Sequence, residues 1–393
     1  MRPELQDIVD EVSQLLDHPV TLEDRSFNLV AFHSHSERID DVRQRSILER
    51  KSSPEVRRWF EGFGIATARE PVRTPSSPDL GVLSRLCLPA RWKDVTYGYL
   101  WAIDEERQID EALLPSAMVL AERAGALMAQ QARTREDLGF LLQDLLSTDP
   151  DTVEEAAQEI DSRRIIRRGV PVAAVELQLA GRPASGVVPM NLWTLPRSVI
   201  AWTGEDHTTL LVPLPGDDVA PAHELARQAR ALYLERLTPG VDVELVAGIG
   251  APAPDLARLR ASWLQARNAA RVLEAVPDLR PVAAWPELGI YRLLGCGPEG
   301  VLAEAVVDES VRRLLEQGDP DLRETALTYL RNGGNVQKTG AALNIHRQTV
   351  YYRLQRIQKV TGLDLTRGED QLLLHLGLTM APVLGLPRPT GSS

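Results

Sequence analysis

Two cysteines in 393 residues, Cys87 and Cys296, are too few for a disulfide framework or a four-thiolate metal site. Both lie in apolar strings where a buried thiol is ordinary. No run of about 18 uncharged apolar residues occurs, so no membrane-spanning segment is expected. The start, Met1-Arg2-Pro3-Glu4, lacks the basic-then-apolar order of a secretory leader, and the expected compartment is the cytoplasm. Positive charge is also short. The 44 Lys+Arg against 55 Asp+Glu leave a net −11, which excludes a protein that coats nucleic acid over its whole surface. No cofactor or metal is called for by any motif.

What is present is ordinary globular material, 44% hydrophobic and 25% charged, enough for two or three domains of roughly 150 residues. The charge is uneven. Between Asp321 and Gly368 eight Lys/Arg face three Asp/Glu, a local +5, while the other 345 residues carry −16. A small basic module on an acidic body confines any polyanion contact to that end.

Along the chain, residues 1–112 begin with an amphipathic helix (Leu5, Ile8, Val12, Leu15, Leu16) and a hairpin, Val20 to Glu23 and Leu29 to Phe32. Helical stretches follow near Ile39 to Arg50 and Glu55 to Phe60. After a Pro/Ser loop at Pro71 to Pro78 come two apolar runs, Val82 to Leu88 and Tyr97 to Ile103. This α+β order fits a small sensor domain of the GAF or PAS kind.

From 113 to 148, alternate steps of four and three pass through Leu113, Ala117, Leu120, Ala124, Leu127, Gln131, Thr134, Leu138, Leu141 and Leu145, apolar at eight of ten places. Such a seam serves either a helical connector forming a parallel homodimeric coiled coil or a terminal helix folded back on the first domain. Residues 165–295 form a second α+β unit. It contains strands at Val172 to Leu179, Val199 to Trp202, Thr208 to Val212 and Val243 to Ile249, with helices at Leu225 to Leu237 and Leu256 to Val276. The order resembles a ferredoxin-like palm. The tail, 383–393, is expected to be disordered.

The last module, 300–382, is expected to be all-α. Leu322, Ala326, Leu327 and Leu330 repeat with helical period, and Asn332-Gly333-Gly334 ends that helix with residues that accept left-handed backbone. Asn335 caps a short helix to Leu343. Only Asn344-Ile345-His346 separates it from a third helix, Arg347 to about Val360, a helix-turn-helix spacing in which small Gly340 and Ala341 permit close crossing. Val350, Leu354 and Ile357 make the inward stripe. Arg347, Gln348, Tyr351, Tyr352 and Gln355 then point outward, and the opening turn is where recognition helices reach base edges, so His346, Arg347, Gln348, Thr349, Tyr351 and Tyr352 are the expected base readers. Asn335, Lys338 and Thr339 suit a phosphate at the start of the second helix, and Arg353, Arg356 and Lys359 extend the basic strip.

The string Asn335 to Ile357 carries His346-Arg347-Gln348-Thr349 and Tyr352-Arg353-Leu354, and in this it resembles the carboxy-terminal helix-turn-helix of PucR/CdaR-type bacterial transcriptional regulators. Glu324 to Leu330 and Thr361 to Leu365 look like that family's framing segments. Ala247 to Gly250, Leu256 to Val276 and Leu288 to Leu294 resemble its degenerate GGDEF-like domain. One departure is Gly340, where the family more often has alanine, a difference of about 1 kcal/mol in helix propensity. The resemblance implies a DNA-binding regulator that is a homo-oligomer, a dimer by expectation, reading double-stranded DNA at an inverted repeat and answering to a small-molecule effector sensed in the amino-terminal half.

Two rival classes are a ligand-sensing signalling protein without DNA contact and a nucleotide cyclase. A cyclase needs metal-binding carboxylates. Only Glu176 and Glu205-Asp206 are plausibly near one another, and the phosphate-binding hairpin string is absent, so these are read as solvated strand and turn residues. His33-Ser34-His35 is read as an exposed polar loop, not a metal site. Cys87 is read as core, with a sensor pocket shared with Trp101 or Tyr97 as the alternative. Gly248-Ile249-Gly250 lacks the third glycine of a dinucleotide fingerprint and is discarded.

Overall fold

A computed structural model describes residues 3–33, 42, 52–105, 107–180, 195, 196, 198–204, 206–234, 244–317 and 319–386. The elements in chain order begin with α1 (Pro3–Leu16), β1 (Val20–Asp24), β2 (Leu29–His33), α2 (Pro54–Glu61), β3 (Val72–Thr74), β4 (Arg85–Trp92) and β5 (Val95–Ile103). Then come α3 (Leu114–Leu145), α4 (Pro150–Ser162), β6 (Val172–Ala180), β7 (Ile200–Thr203), β8 (His207–Pro213), α5 (Ala220–Leu234), β9 (Glu244–Ile249), α6 (Leu259–Ala275) and β10 (Val282–Ala284). Six helices close the chain: α7 (Glu299–Val306), α8 (Glu309–Gln317), α9 (Pro320–Arg331), α10 (Val336–Ala342), α11 (Arg347–Thr361) and α12 (Gly368–Met380). The described residues divide into two compact units, one from Met1–Arg167 with Val187–Thr203 and Ala231–Pro239, the other from Arg168–Gly186, Gly204–Arg230 and Gly240–Ser393.

The first unit is built on an antiparallel sheet in the order β2-β1-β5-β4-β3. Strand alternation sends Leu22, Leu86, Leu88 and Leu100 to one face, where Leu5, Ile8 and Val12 of α1 and Ala117, Ala121, Ala124 and Met128 of α3 complete a core. The opposite face carries Phe27, Phe60, Cys87, Tyr99 and Trp101, with Trp101 4.5 Å from the Phe60 ring centre. Tyr97 packs with the first face, so it does not join Cys87 and Trp101 in one pocket. The turn after β1 is held by Asp24, whose Oδ1 accepts from the Ser26 and Asn28 amides at 2.7 and 3.1 Å. Strand β3 falls where a Pro/Ser loop was expected; three residues are too short to show a period. The helix expected over Ile39 to Arg50 lies outside the described residues apart from Val42.

Helix α3 is 32 residues long and uses both halves. Its first half docks on the sheet so closely that a Cβ at Gly125 would stand 2.3 Å from the Arg91 carbonyl oxygen. In its second half Leu138, Gly139, Leu142 and Leu145 are buried, and this half packs on α4 and β7. Four residues of the expected seam, Ala117, Ala124, Leu138 and Leu145, are therefore inside the unit. This corrects the connector picture: that seam is spent on the fold. Among the described residues Glu111–Leu145 is one helical stretch long and apolar enough to cross a membrane by length and composition, which a search for an uninterrupted apolar run overlooks because charges punctuate it. Its apolar inner side is core.

In the second unit the strand order β10-β9-β6-β8 places β6 centrally, antiparallel to β8 and β9, with β10 parallel to β9. Helix α6 crosses β9 at Gly248 and Gly250, where added Cβ atoms would meet Ala266 O at 2.2 Å and Ser262 O at 1.9 Å. The two glycines of the discarded fingerprint thus serve helix-on-strand contact. The palm-like and helical segments share one core, from Val246, Ala270 and Leu273 through Leu302, Val311 and Leu314 to Ile357 and Leu378. The expected boundary between 295 and 300 separates no independent cores. Val383 and Leu384 are buried too, and Leu386 packs against them, so order extends past 382. Residues 387–393 lie outside the described residues.

Candidate nucleic-acid interface

Three helices form the site. Asp319 caps α9, and Leu322, Ala326 and Leu330 turn inward. Gly333 and Gly334 at φ 62° and 78° reverse the chain, as the Asn-Gly-Gly string predicts. Asn335 Oδ1 then accepts the Lys338 amide at 3.0 Å and starts α10. The turn to α11 runs through Asn344, which takes a positive φ of 54°, a conformation asparagine tolerates. It is tight because the Gly340 carbonyl accepts the Ile345 amide at 2.9 Å, and a Cβ at Gly340 would stand only 2.9 Å from Ile345 O. Glycine at 340 is a close-approach residue as well as a helix cost. His346 Nδ1 accepts the Gln348 amide at 3.3 Å and caps α11, which ends at Gly362 with φ 77°.

Along α11, Val350, Leu354, Ile357 and Thr361 are buried. The opposite side is open: Arg347, Gln348, Gln355, Arg356 and Lys359 are exposed, with Tyr351 and Tyr352 at 52% and 60% exposure. The Arg356 guanidinium lies 6.0 Å over the Tyr352 ring. His346 is exposed but its Nδ1 is engaged as the cap, and Thr349 is half-buried. On α10, Lys338 is exposed.

Two expected contacts move inside. Thr339 is fully buried, its hydroxyl donating to Asn335 O at 2.7 Å, so no phosphate reaches it. Arg353 turns toward α9, donates to Thr325 Oγ1 at 3.1 Å and forms an ion pair with Asp321. It fastens α11 to α9 instead of extending the strip. Arg323, part of the basic count, is also buried and donates to Leu315 O at 3.3 Å.

The other candidates disperse. Glu176 is 3% exposed and accepts from Thr209 Oγ1 at 2.6 Å. Burial holds its carboxyl above the ordinary range against the opposing pull of the Thr209 hydrogen bond and of His207 and Arg267. The expectation of a solvated strand residue is corrected: strand alternation turns it inward. Asp206 pairs with His207 Nδ1 at 2.8 Å, and that bond lowers its pKa, while Glu205 lies outside the described residues. No group of three His, Cys, Asp or Glu is placed to hold a metal among the described residues. His33 ends β2 and its Nδ1 meets Asp10 Oδ1 at 2.6 Å, so it is not a loop residue; His35 lies outside the described residues. Cys87 is core, its thiol pushed up by burial and the Glu23 charge, whereas Cys296 is exposed against expectation.

The model of the PucR C-terminal helix-turn-helix domain matches residues 322–380, and that of the GGDEF-like domain matches 145–272. The chain therefore carries a PucR-type helix-turn-helix domain at residues 322–380. The PucR-type match runs from the first turn of α9 to the end of α12, and the GGDEF-like one starts at the end of α3, earlier than residue 165. Over 96% of this chain and 92% of its own, the DNA-binding transcriptional activator AdeR of Bacillus subtilis (strain 168) is 22% identical. The proline-responsive transcriptional activator PutR of the same organism is 21% identical over 95% of each chain. The carbohydrate diacid regulator of Escherichia coli (strain K12) is 44% identical over 59 residues, 15% of each.

Proposed function

We propose that this chain regulates transcription by setting the outer face of α11 into the major groove of duplex DNA. The observation that carries it is the sorting of one helix: Val350, Leu354 and Ile357 buried, and Arg347, Gln348, Tyr351 and Tyr352 exposed on the other side of a capped, tightly turned helix pair. Arg347 grips guanine and Gln348 adenine at base edges, with Tyr351 and Tyr352 beside them. Lys338, Arg356 and Lys359 neutralise phosphates. The chain acts as a homodimer on an inverted repeat whose half-sites lie about one duplex turn, 34 Å, apart. It works in the cytoplasm without catalysis of its own.

The five-stranded antiparallel sheet with α1 and α3 on one face and an aromatic cluster on the other supports a GAF/PAS-like sensor role for the first unit. A small-molecule effector acts there by its differential affinity for two arrangements of the dimer. Mapping of bound DNA across the genome tests the function. Discrete sites sharing an inverted repeat are expected; occupancy that follows no sequence would contradict it.

A further inference from the structure

With its inner seam consumed, α3 presents a second one. Val119, Ala126, Arg133 and Phe140 recur every seven residues, and Arg123, Asp137 and Asp144 occupy the intervening heptad places. This stripe faces away from the unit's own core: Val119 is 65% and Phe140 58% exposed, and Ala126 is partly so. Beside its first half, between the β4-β5 hairpin and α3, lies a cavity of about 500 Å³ whose lining is part apolar, with Trp92, Met118 and Val119, and part charged, with Arg91, Lys93 and Glu122. Trp92 at the hairpin tip is 41% exposed. Large apolar side chains in such a stripe mark a contact surface.

The charges say which partner fits. Arg123 and Arg133 precede Asp137 and Asp144 along the stripe. A parallel second copy stacks arginine on arginine and aspartate on aspartate, whereas an antiparallel one sets Arg123 against Asp137 and Asp144 of the other copy and leaves Arg133 facing Gln130. About a two-fold axis between Gln131 and Ala132, Arg123 of one copy faces Phe140 of the other, with Asp137 and Asp144 one turn to either side. Phe140 then enters the cavity beside Trp92, and Arg123, which within its own chain reaches Glu11 at 3.6 Å, gains two carboxylates.

We propose that the chain dimerises through this outer face of α3 against the antiparallel α3 of a second copy, Phe140 seating in the partner's cavity. The inference deepens the dimeric reading given above and rests on it. Equilibrium sedimentation of the full chain is expected to show a dimer that Phe140→Ala weakens at least about tenfold. Arg123→Asp and the pair Asp137→Arg, Asp144→Arg each weaken self-association by a similar factor, and mixing the two variants restores it, because each supplies the charge the other lost. For orientation, a spin label at Ser116→Cys in a Cys296→Ser background is expected at roughly 45 Å from its copy, 31 residues of helical rise. A separation under about 20 Å, the parallel arrangement, overturns the proposal, as does a dimer indifferent to Phe140→Ala and to the charge variants. A monomeric full chain overturns both this and the dimeric reading. Sequence selection by single readers is a separate measurement, so DNA recognition stands or falls on its own.

Discussion

The Arg353 guanidinium of α11 donates to Thr325 Oγ1 of α9 at 3.1 Å while pairing with Asp321. A residue placed by sequence in the DNA-facing strip is thus a clamp between the reading helix and its support. Arg353→Ala is expected to cost about 1 to 2 kcal/mol of stability, the range for a hydrogen bond to a charged group discounted for the exposed Asp321. Thermal melting measures the loss. The salt dependence of DNA binding is expected to stay unchanged for the folded variant, and a flattened slope would return Arg353 to the phosphate contacts.

Lys338 and Lys359 are exposed cations on α10 and α11. Replacing either by alanine is expected to weaken all duplexes alike and to reduce the slope of log affinity against log salt by about one. Arg347→Ala behaves differently, losing roughly 1 to 3 kcal/mol of discrimination at one base position per half-site. Titrations on matched and mismatched duplexes at several salt concentrations separate the two behaviours.

Gly248 sits in β9 where α6 crosses, with the Ala266 carbonyl oxygen 2.2 Å from the position of an added Cβ. Backbone cannot yield as a side-chain tip can, so Gly248→Ala is expected to cost roughly 1 to 3 kcal/mol. Because the palm-like strands and α7 to α12 share a core, the loss is expected in a single unfolding transition of the second unit in denaturant. A separate, unshifted transition for the DNA-reading helices would contradict the shared core.

Glu176 gives a pH dependence with a defined sign. Its folded-state pKa is raised above the ordinary 4.5 by burial. Its protonated form therefore contributes stability that is complete below the unfolded value and is lost as pH rises through the folded one. Glu176→Gln keeps an acceptor for Thr209 and carries no charge. The variant is expected to melt higher than the parent at pH 8 and to show no gain at pH 4, as read by calorimetry.

The elements legible in the sequence were those with a strong period or punctuation. Leu322 to Leu330, the Asn332-Gly333-Gly334 reversal and the Val350, Leu354, Ile357 stripe all lie where spacing put them. Helix α4 went unread although Asp149-Pro150 is a cap followed by proline at the first helical position, with Val153, Ala157 and Ile160 behind it. Strands β3 and β10, three residues each, carry no period at all. Within the site, period told inward from outward, but a long guanidinium such as Arg353 reaches sideways to a partner 28 residues away, which spacing alone does not reveal. Thr339 lies near the capped start of α10, where a phosphate contact is expected, but its side chain is buried and its hydroxyl donates back to Asn335 O. The two seams of α3 show the same limit: a heptad count finds a stripe, and only packing tells which stripe the fold has used.

Selection of binding sites from a random duplex library, run in parallel with the intact chain and its Arg347→Ala and Gln348→Ala variants, bears most directly on the outer face of α11. The expected result is an inverted repeat for the parent and loss of preference at a single, different base pair per half-site for each variant. Recovery of the same unaltered sequence by both variants, or of no sequence by the parent, would contradict it.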